Sequence, residues 1–485
     1  MKQLRWYDHI SINLFWLGLN IRNTAIGSVF MPYLVASFVR PEVMNTALGV
    51  MRTAGLLVAM LVQPAAGILS DRNTSRFGRR RPFIFVGVML DLVFLVAIGL
   101  STGYWWLFVS VMLIQVSSNI SHGPLQGLIP DMVPEEQRGR SSAVKAIFEL
   151  LPIIIVAFTI AKMVGAGHLW LAIISTGAAL LVTMLLTMVL VKEQPLKEKP
   201  SVPLKEPMLR VLGMLGGILA GGLAGLVAGG LVGGLAALVV WPIAGARAAQ
   251  MVGIALGGLA AMIVAVVVGV WGGALATLGD DARRHDSFTW WVVARLMFLA
   301  AVTSIQGFAA FFLMSVFDVP NQTAIVMAAN LFVVVGIFTV ASALPSGWLA
   351  DRLGSKLLVG IAGLIATFGT AVLLVTTIHP NLPLMYVAGI IIGLGTGLFT
   401  TSSWALGTEL VPGLEAGRYL GISNLAGAGA GMIGAGIGGV VADWMNRYQP
   451  GLGYFVIFAS YAVLFLLSTV SLVKVKMVQR PATGN

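Results

Sequence analysis

With 485 residues, 58% of them hydrophobic and only 10% charged, the chain is too apolar for a soluble globular protein, in which roughly 25% of residues carry charge. Its formal charge of +11 is therefore a matter of cytoplasmic loops and not of nucleic acid, and the lack of cysteine excludes disulfides and thiol chemistry. No phosphate loop, metal cluster or nucleophile arrangement is evident, so the chain is expected to be no enzyme and to need no cofactor or metal.

A membrane-crossing helix needs about 20 apolar residues. The N-terminus, MKQLRWYDHI, is short and basic and shows no clear cleavage site, so it reads as the start of an uncleaved first helix. The first half reads as spans at 11–38, 45–69, 82–101, 105–129, 141–163 and 168–191. A polar stretch rich in Lys, Glu and Pro, Lys192 to Pro207, then reads as a linker. Two more apolar runs, 209–240 and 251–277, are joined by a turn around Trp241-Pro242. The second half reads as spans at 289–317, 322–349, 357–378, 383–410, 418–444 and 452–474. The predicted organisation is an all-α polytopic membrane protein of about 14 helices. It has a six-helix bundle at 1–191, a cytoplasmic linker at 192–208, a Gly-rich hairpin at 209–288 and a second six-helix bundle at 289–485.

The basic residues test the count. Arg40, Lys162, Arg247 and Arg447 fall on the outer side, Arg22, Arg52, Lys145 and Arg295 fall inside spans, and most of the remainder falls on the inner side. That asymmetry places both termini in the cytoplasm. An odd number of helices would invert one half and spoil it.

The hairpin has its own pattern. Gly213, Gly217, Gly221, Gly225, Gly229 and Gly233 recur every four residues on one slowly drifting helix face, where small side chains let another helix come close. Two readings stand: a hairpin packed on itself or on the outer wall of the bundle, or a docking surface for a partner helix or second protomer.

The most basic loop is GILSDRNTSRFGRRRPF, Gly67 to Phe83, with Arg72, Arg76, Arg79, Arg80 and Arg81 against one acid, Asp71. A thinner copy, GWLADRLGSKLL, runs from Gly347 to Leu358, and Asp71-Arg72 recurs as Asp351-Arg352 at an offset of 351 − 71 = 280. PEEQRGR (Pro134 to Arg140) is echoed by PGLEAGR (Pro412 to Arg418) at 412 − 134 = 278. Two motifs at nearly one offset indicate duplicated halves, and duplicated halves of apolar helices mark many secondary transporters.

At this point the chain resembles a known family. The Gly67 to Arg81 pattern after a second membrane helix is similar to the loop 2–3 signature of the major facilitator superfamily. The longer form Ser70 to Ile84, with Gly123 to Arg140, resembles the sucrose–proton symporters and the related glycoside–pentoside–hexuronide branch. The resemblance implies two pseudo-symmetric six-helix bundles that rock about a central cavity lined by spans 1, 4, 7 and 10 of the core. It also implies that Gly67, Asp71, Arg72, Gly78, Arg79, Arg80, Asp351 and Arg352 form a conformational latch, with the helix starts after Gly139-Arg140 and Gly417-Arg418 as partners. A plain topology signal is the competing reading of the same arginines.

Polar residues inside spans are costly and tend to face the bundle interior. Gln115, Asn119, His122 and Gln126 recur at helical intervals and form one stripe on span 4. Thr396, Thr400, Ser403 and Gly407 form another on core span 10, with Trp404 beside them for a sugar ring to stack on. Core span 7 contributes Arg295 and Gln306, with Thr303 flanking; span 1 contributes Asn13, Asn20 and Thr24, with Arg22 on its opposite side. As aligned on Gly123-Pro124, the resembled symporters carry a proton-taking acid where this chain has Gln115, and a sugar-binding arginine where it has Gln126. His122, Glu149 and Asp91 are then the proton-coupling candidates. Arg52 is expected to pair with Asp91, and Lys145 with Glu149 one turn away.

The functional expectation is a secondary transporter of a small polar solute, a sugar or glycoside, working by alternating access in the cytoplasmic membrane and open to proton coupling. An organic-anion or amphiphile exporter is the alternative that Arg22 and Arg295 motivate. An alternative of another class is a transporter fold retired into binding or assembly.

Overall fold

The computed structural model describes residues 3–134, 137–191, 193, 205–410 and 416–476; for Gly139, 205–207, Arg210, Asp351 and 416–428 it describes the backbone alone. Most of the linker at 192–204 and the start of the PGLEAGR repeat lie outside the described residues. The described chain is helical throughout. Unpaired backbone polar groups are prohibitively costly in hydrocarbon, and only the helix satisfies them all within one apolar segment.

The helices are α1 (Trp6–Ala25), α2 (Met31–Phe38), α3 (Met44–Asp71), α4 (Arg81–Gly99), α5 (Tyr104–Gln126), α6 (Leu128–Met132), α7 (Arg138–Phe158), α8 (Ile160–Gly165), α9 (Leu169–Leu190), α10 (Lys205–Leu278), α11 (Asp281–Arg284), α12 (Asp286–Val316), α13 (Asn321–Leu353), α14 (Ser355–Ile378), α15 (Leu382–Leu410), α16 (Ala416–Asn446) and α17 (Leu452–Ser471). One π-helical turn, Ile26–Phe30, joins α1 to α2. Among the described residues, ten helices are long and apolar enough to cross a membrane. The span-4 helix α5 is not one of them, because Gln115, Ser117, Ser118, Asn119, Ser121, His122 and Gln126 dilute its apolar run.

The chain forms two compact units: residues 1–41, 54–211 and 318–333 make the first, and residues 42–53, 212–317 and 334–485 the second. Each unit repeats one contact plan. In unit 1, α1 packs on α7 and α9, and α4 packs on α5 and α9. In unit 2, α12 packs on α16 and α17, and α14 packs on α15 and α17. The duplication read from two short motifs is thus a duplication of packing. The fillings differ. Unit 1 has a mostly aliphatic core around Ile12, Leu19, Val88, Leu180 and Met184, with Phe15 and Trp16 among them. Unit 2 is built on aromatics, with Phe298 stacked on Phe399 at 3.6 Å and Phe312 edge-on to Tyr454 and Phe458 at 5.5 and 5.2 Å.

Helix α10 is 74 residues long; straight, it would run about 110 Å, far beyond the roughly 30 Å of a bilayer core. It folds back at Gly245, whose φ of 80° is open to glycine and costly for other residues. The predicted turn at Trp241-Pro242 is corrected to this position; Pro242 is kept inside the helix. The four-residue glycine stripe is the seam between the two arms. A Cβ on Gly217 would collide with the Gly273 backbone, one on Gly221 would meet Gly269 at 2.5 Å, and one on Gly233 would meet Gly253 at 2.5 Å. The stripe is consumed within the hairpin and is not an open docking face. The second arm lies against unit 2, where a Cβ on Gly258 would meet Val441 at 2.5 Å and Arg247 donates to the Tyr448 carbonyl at 3.0 Å.

Candidate solute site and latch

In unit 1 the charge centre is Arg22. Its Nη2 donates to Asp91 Oδ2 at 2.8 Å and to the Ser118 hydroxyl, while Nη1 donates to Asn23 Oδ1 at 2.8 Å. Asp91 accepts a second bond from the Ser117 hydroxyl. Both charged side chains are sealed, at 3% and 0% exposure. The expected pairing of Arg52 with Asp91 is corrected: α4 turns Asp91 toward α1 and α5, where Arg22 neutralises it.

Beside this pair lies the rest of the unit 1 face. Trp16 meets His122 edge-on with ring centroids 5.3 Å apart, and Lys145 Nζ sits 4.2 Å from the Trp16 ring centre. Lys145 also pairs with Glu149 at 3.3 Å, as expected from their one-turn spacing. Gln126 Nε2 lies 3.5 Å from His122 Nε2. Two stripe residues turn inward on their own helices: Asn119 donates to the Gln115 carbonyl at 2.7 Å and Asn20 to the Trp16 carbonyl at 2.9 Å. Asn13 is buried against Ser141 at 2.9 Å, which leaves the Arg22 side of α1 to the polar network. Sequence reading misses Trp16; its aromatic ring reads as ordinary core until His122 and Lys145 are placed on it.

In unit 2, Arg295 is 8% exposed. Its guanidinium lies 4.5 Å over Trp404 and 5.8 Å from Trp291, with one long bond, 3.4 Å, to Ser403 Oγ. Trp291 is held in place: its indole N–H donates to the Ser403 carbonyl at 3.0 Å, and Gly407 leaves room for the ring, since a Cβ there would collide with it. One face of Trp404 is thereby covered by Arg295. Thr396 and Thr400 bond back to their own helix at 2.7 Å each, and Thr303, Gln306 and Thr400 are exposed. Glu409 accepts from Ser355 Oγ at 2.8 Å.

Unit 2 also holds a buried acid that sequence reading passes over. Asp443 accepts from Asn45 Nδ2 at 2.7 Å and from the Thr46 backbone N–H at 2.6 Å, while Tyr454 donates to Asn45 Oδ1 at 3.1 Å. The first turn of α3 leaves such N–H groups without helical partners, and a carboxylate there is favoured by the helix dipole. Asp443 stands near the end of a glycine-rich span, a position that carries no motif.

The signature loop forms a compact ion cluster within unit 1. Arg80, 6% exposed, pairs with Asp71 at 2.6 Å and with Asp131 at 2.9 Å, and donates to Ser70 Oγ at 2.9 Å. Arg79 pairs with the other oxygen of Asp131. Burial acts to lower the Arg79 pKa, but the hydrogen bond and charge of Asp131, with Asp71 and Glu193 behind it, outweigh that and raise it. Glu193 caps the start of α4 by accepting from the Arg80 backbone N–H at 2.9 Å. Gly78 has φ 108°, and a Cβ there would strike Glu193 at 2.5 Å. Gly67 lies where α3 passes Gly123 of α5 at 3.9 Å. Asp71 thus has Arg80 of its own loop as a partner; the start of the PGLEAGR repeat, expected to face it, lies outside the described residues. Arg72 follows at the helix end, half-buried. In the second copy, Arg352 stacks on Trp348 at 4.0 Å, and the side chain of Asp351 is outside the described residues.

Comparison with known proteins agrees with the repeated packing plan. Residues 14–280 match the family described as MFS/sugar transport protein, and residues 296–484 match the Major Facilitator Superfamily. A sucrose transport protein of Arabidopsis thaliana, SUC4, is 28% identical over 153 residues, 27% of this chain and 30% of that protein. A general alpha-glucoside permease of Schizosaccharomyces pombe is 26% identical over 219 residues, 40% of this chain and 39% of that protein. The match thus spans well under half the length of either relative. Among solved structures, a mutant of the nucleoside transporter NupG covers 97% of this chain with TM-score 0.64 at 11% identity, and is itself covered fully, at 100%. The POT family transporter PepTSo covers 97%, with 98% of its own chain, at TM-score 0.66 and 12% identity. These likenesses show the fold. With more than half of the sequence matched by the sugar-transport description, the chain is a multi-pass membrane protein that belongs to the major facilitator superfamily, in its sugar-transport branch.

Proposed function

We propose that this protein is a secondary transporter that moves a small hydroxylated solute, a sugar or glycoside, across the cytoplasmic membrane by alternating access. The observation that carries the reading is the sugar-transport match over residues 14–280, the stretch that holds Arg22, Asp91, His122 and Lys145 on one face of unit 1. Neutral donors and acceptors, Gln115, Gln126, Gln306 and Thr400, are suited to hydroxyl groups, and Trp404 supplies flat apolar surface for a ring. With about 14 crossings and the arginine-rich loop inside, both termini are cytoplasmic.

Among the coupling candidates, accessibility favours Glu149, which is 43% exposed, over Asp91, which is sealed against Arg22. His122, packed on Trp16, is a binding residue in this reading. The ion cluster around Arg80 orders the latch loop, since it joins the ends of α3 and α4 to α6 through two carboxylates; the latch contact itself is read between this loop and a helix start of the other half.

The test is uptake by proteoliposomes of labelled sucrose and maltose, with and without an imposed proton gradient. Saturable uptake is expected, and Arg80→Gln should alter its rate without abolishing solute binding. Absence of flux and of binding for every sugar tried would overturn the reading.

A further inference from the structure

Helix α3 belongs by sequence to the first half of the chain, yet its outer end, residues 42–53, packs as part of unit 2. There it runs along α16. A Cβ on Gly439 would collide with the Asn45 carbonyl, one on Gly49 would collide with the Ala435 carbonyl, and one on Gly436 would meet Thr53 Oγ1 at 2.7 Å. Small residues let the two backbones come this close. Asp443 fastens the end of the contact: its carboxylate accepts from the Thr46 backbone N–H at 2.6 Å and from Asn45 Nδ2 at 2.7 Å. The same end of α16 is gripped by the second arm of the hairpin. Arg247 donates to the Tyr448 carbonyl at 3.0 Å, the Tyr448 hydroxyl donates to Gln250 Oε1 at 2.8 Å, and Gly258 leaves room for Val441. Val441 and Tyr448 bracket Asp443 in the chain, so the arm and the first turn of α3 hold one short stretch between them.

We propose that the Gly-rich hairpin is the brace of an outer gate. Its second arm holds the outer end of α16 so that Asp443 stays on the first turn of α3, and the arm and α16 travel as one body when the gate parts. This rests on the transport reading, in which α3 and α16 belong to halves that must separate on the outer side for solute to pass there. The brace is stiff because its arms are seamed backbone to backbone, Gly221 on Gly269 and Gly233 on Gly253. The parting falls at Asp443 because water can take over the donors of a first helical turn.

The chain has no cysteine, so introduced thiols are the sole ones present. A Cβ on Gly258 would lie 3.7 Å from that of Val441, and one on Gly436 would lie 3.8 Å from that of Thr53, separations that a disulfide spans. The experiment is uptake of labelled sucrose and maltose by the full chain in proteoliposomes, before and after oxidation. Oxidising the gate pair, Thr53→Cys with Gly436→Cys, should stop uptake until reductant restores it. Oxidising the brace pair, Gly258→Cys with Val441→Cys, should leave uptake at its reduced rate. A second readout needs no transport: labelling of the single Thr53→Cys protein from the outer side by a membrane-impermeant maleimide. Arg247→Ala with Gln250→Ala should speed that labelling about threefold or more, and Asp443→Asn about tenfold, the ranges for lost neutral and charged hydrogen bonds. A melting curve in detergent tells untied protein from unfolded protein. Uptake that continues through the oxidised gate pair would overturn the gate. Uptake stopped by the oxidised brace pair, or labelling unmoved when the hairpin is untied, would overturn the brace. If the wild-type protein carries and binds no sugar, the transport reading falls, while the labelling rates still decide the brace.

Discussion

The two units share one helix-contact plan but handle buried positive charge in opposite ways. Unit 1 pairs its arginine with the Asp91 carboxylate and the Ser118 hydroxyl, with Ser117 donating to Asp91 behind them, in a unit whose core is mostly aliphatic. Unit 2 sets Arg295 against two indoles with, among the described residues, no acid within 4.0 Å, inside a core that holds stacked phenylalanines. Packing is what the duplication preserved, because each helix must still bury the same faces against the same neighbours. The polar positions were free to diverge. One unit pairs its buried arginine with a carboxylate, and the other sets its own against aromatic rings.

The largest test of this contrast is to make unit 1 resemble unit 2. Asp91→Asn leaves Arg22 buried with neutral partners. Removing one member of a buried pair costs about 3–5 kcal/mol, so thermal unfolding in detergent should shift strongly downward. Arg22→Gln combined with Asp91→Asn should recover much of that loss, since no bare charge remains. If the single Asp91→Asn variant melts with the wild type, the sealed pair is not what holds α1, α4 and α5 in register.

The shared plan makes a matched prediction of middle size. Gly123 of α5 and Gly397 of α15 each face the backbone of a neighbouring helix. A Cβ on Gly123 would collide with the Gln63 carbonyl of α3, and one on Gly397 would collide with the Thr339 carbonyl of α13. In each case the obstacle is backbone, which cannot swing aside. Gly123→Ala and Gly397→Ala should each cost about 1–3 kcal/mol through overpacking. The control is in the hairpin: Gly221, pressed on Gly269, should resist Leu, whereas Gly222, with nothing within 4 Å, should accept it. Equal behaviour of Gly221→Leu and Gly222→Leu in a melting assay would remove the seam from the account.

Much of this architecture is legible in the residues alone, for a physical reason. Hydropathy sets where a helix can cross, so spans at 82–101, 357–378 and 452–474 fall on α4, α14 and α17 within a few residues. Glycine at every fourth position announces the hairpin seam, because a close helix approach tolerates little else. The turn itself comes a few residues later than its proline suggests. Proline is a turn signal in water, but Pro242 fits a helix whose reversal is left to Gly245. Partner choice is not legible. Arg52 and Arg22 are equally plausible mates for Asp91 on hydropathy, which does not record how a helix is rotated about its axis. Asp131 sits in view within the Gly123 to Arg140 run, yet its role depends on α6 turning back toward the Arg79-Arg80 loop. Asp443 carries no signal beyond being an acid in an apolar span.

The smallest effect on stability is expected at a half-exposed charge pair, and it separates structure from function most cleanly. Lys145 and Glu149 are 30% and 43% exposed and one turn apart on α7. Exposed helical pairs of this kind contribute about 0.3–0.5 kcal/mol, so Glu149→Gln should leave the melting midpoint almost unmoved. Lys145 would keep its stacking on Trp16, 4.2 Å away, and with it the shape of the unit 1 face. Yet in the proposed mechanism Glu149 is the accessible carboxylate that takes the coupling proton. Glu149→Gln should therefore abolish stimulation of uptake by an imposed pH gradient while leaving solute exchange at equal pH intact. Unchanged stimulation in that variant would move coupling elsewhere in the chain.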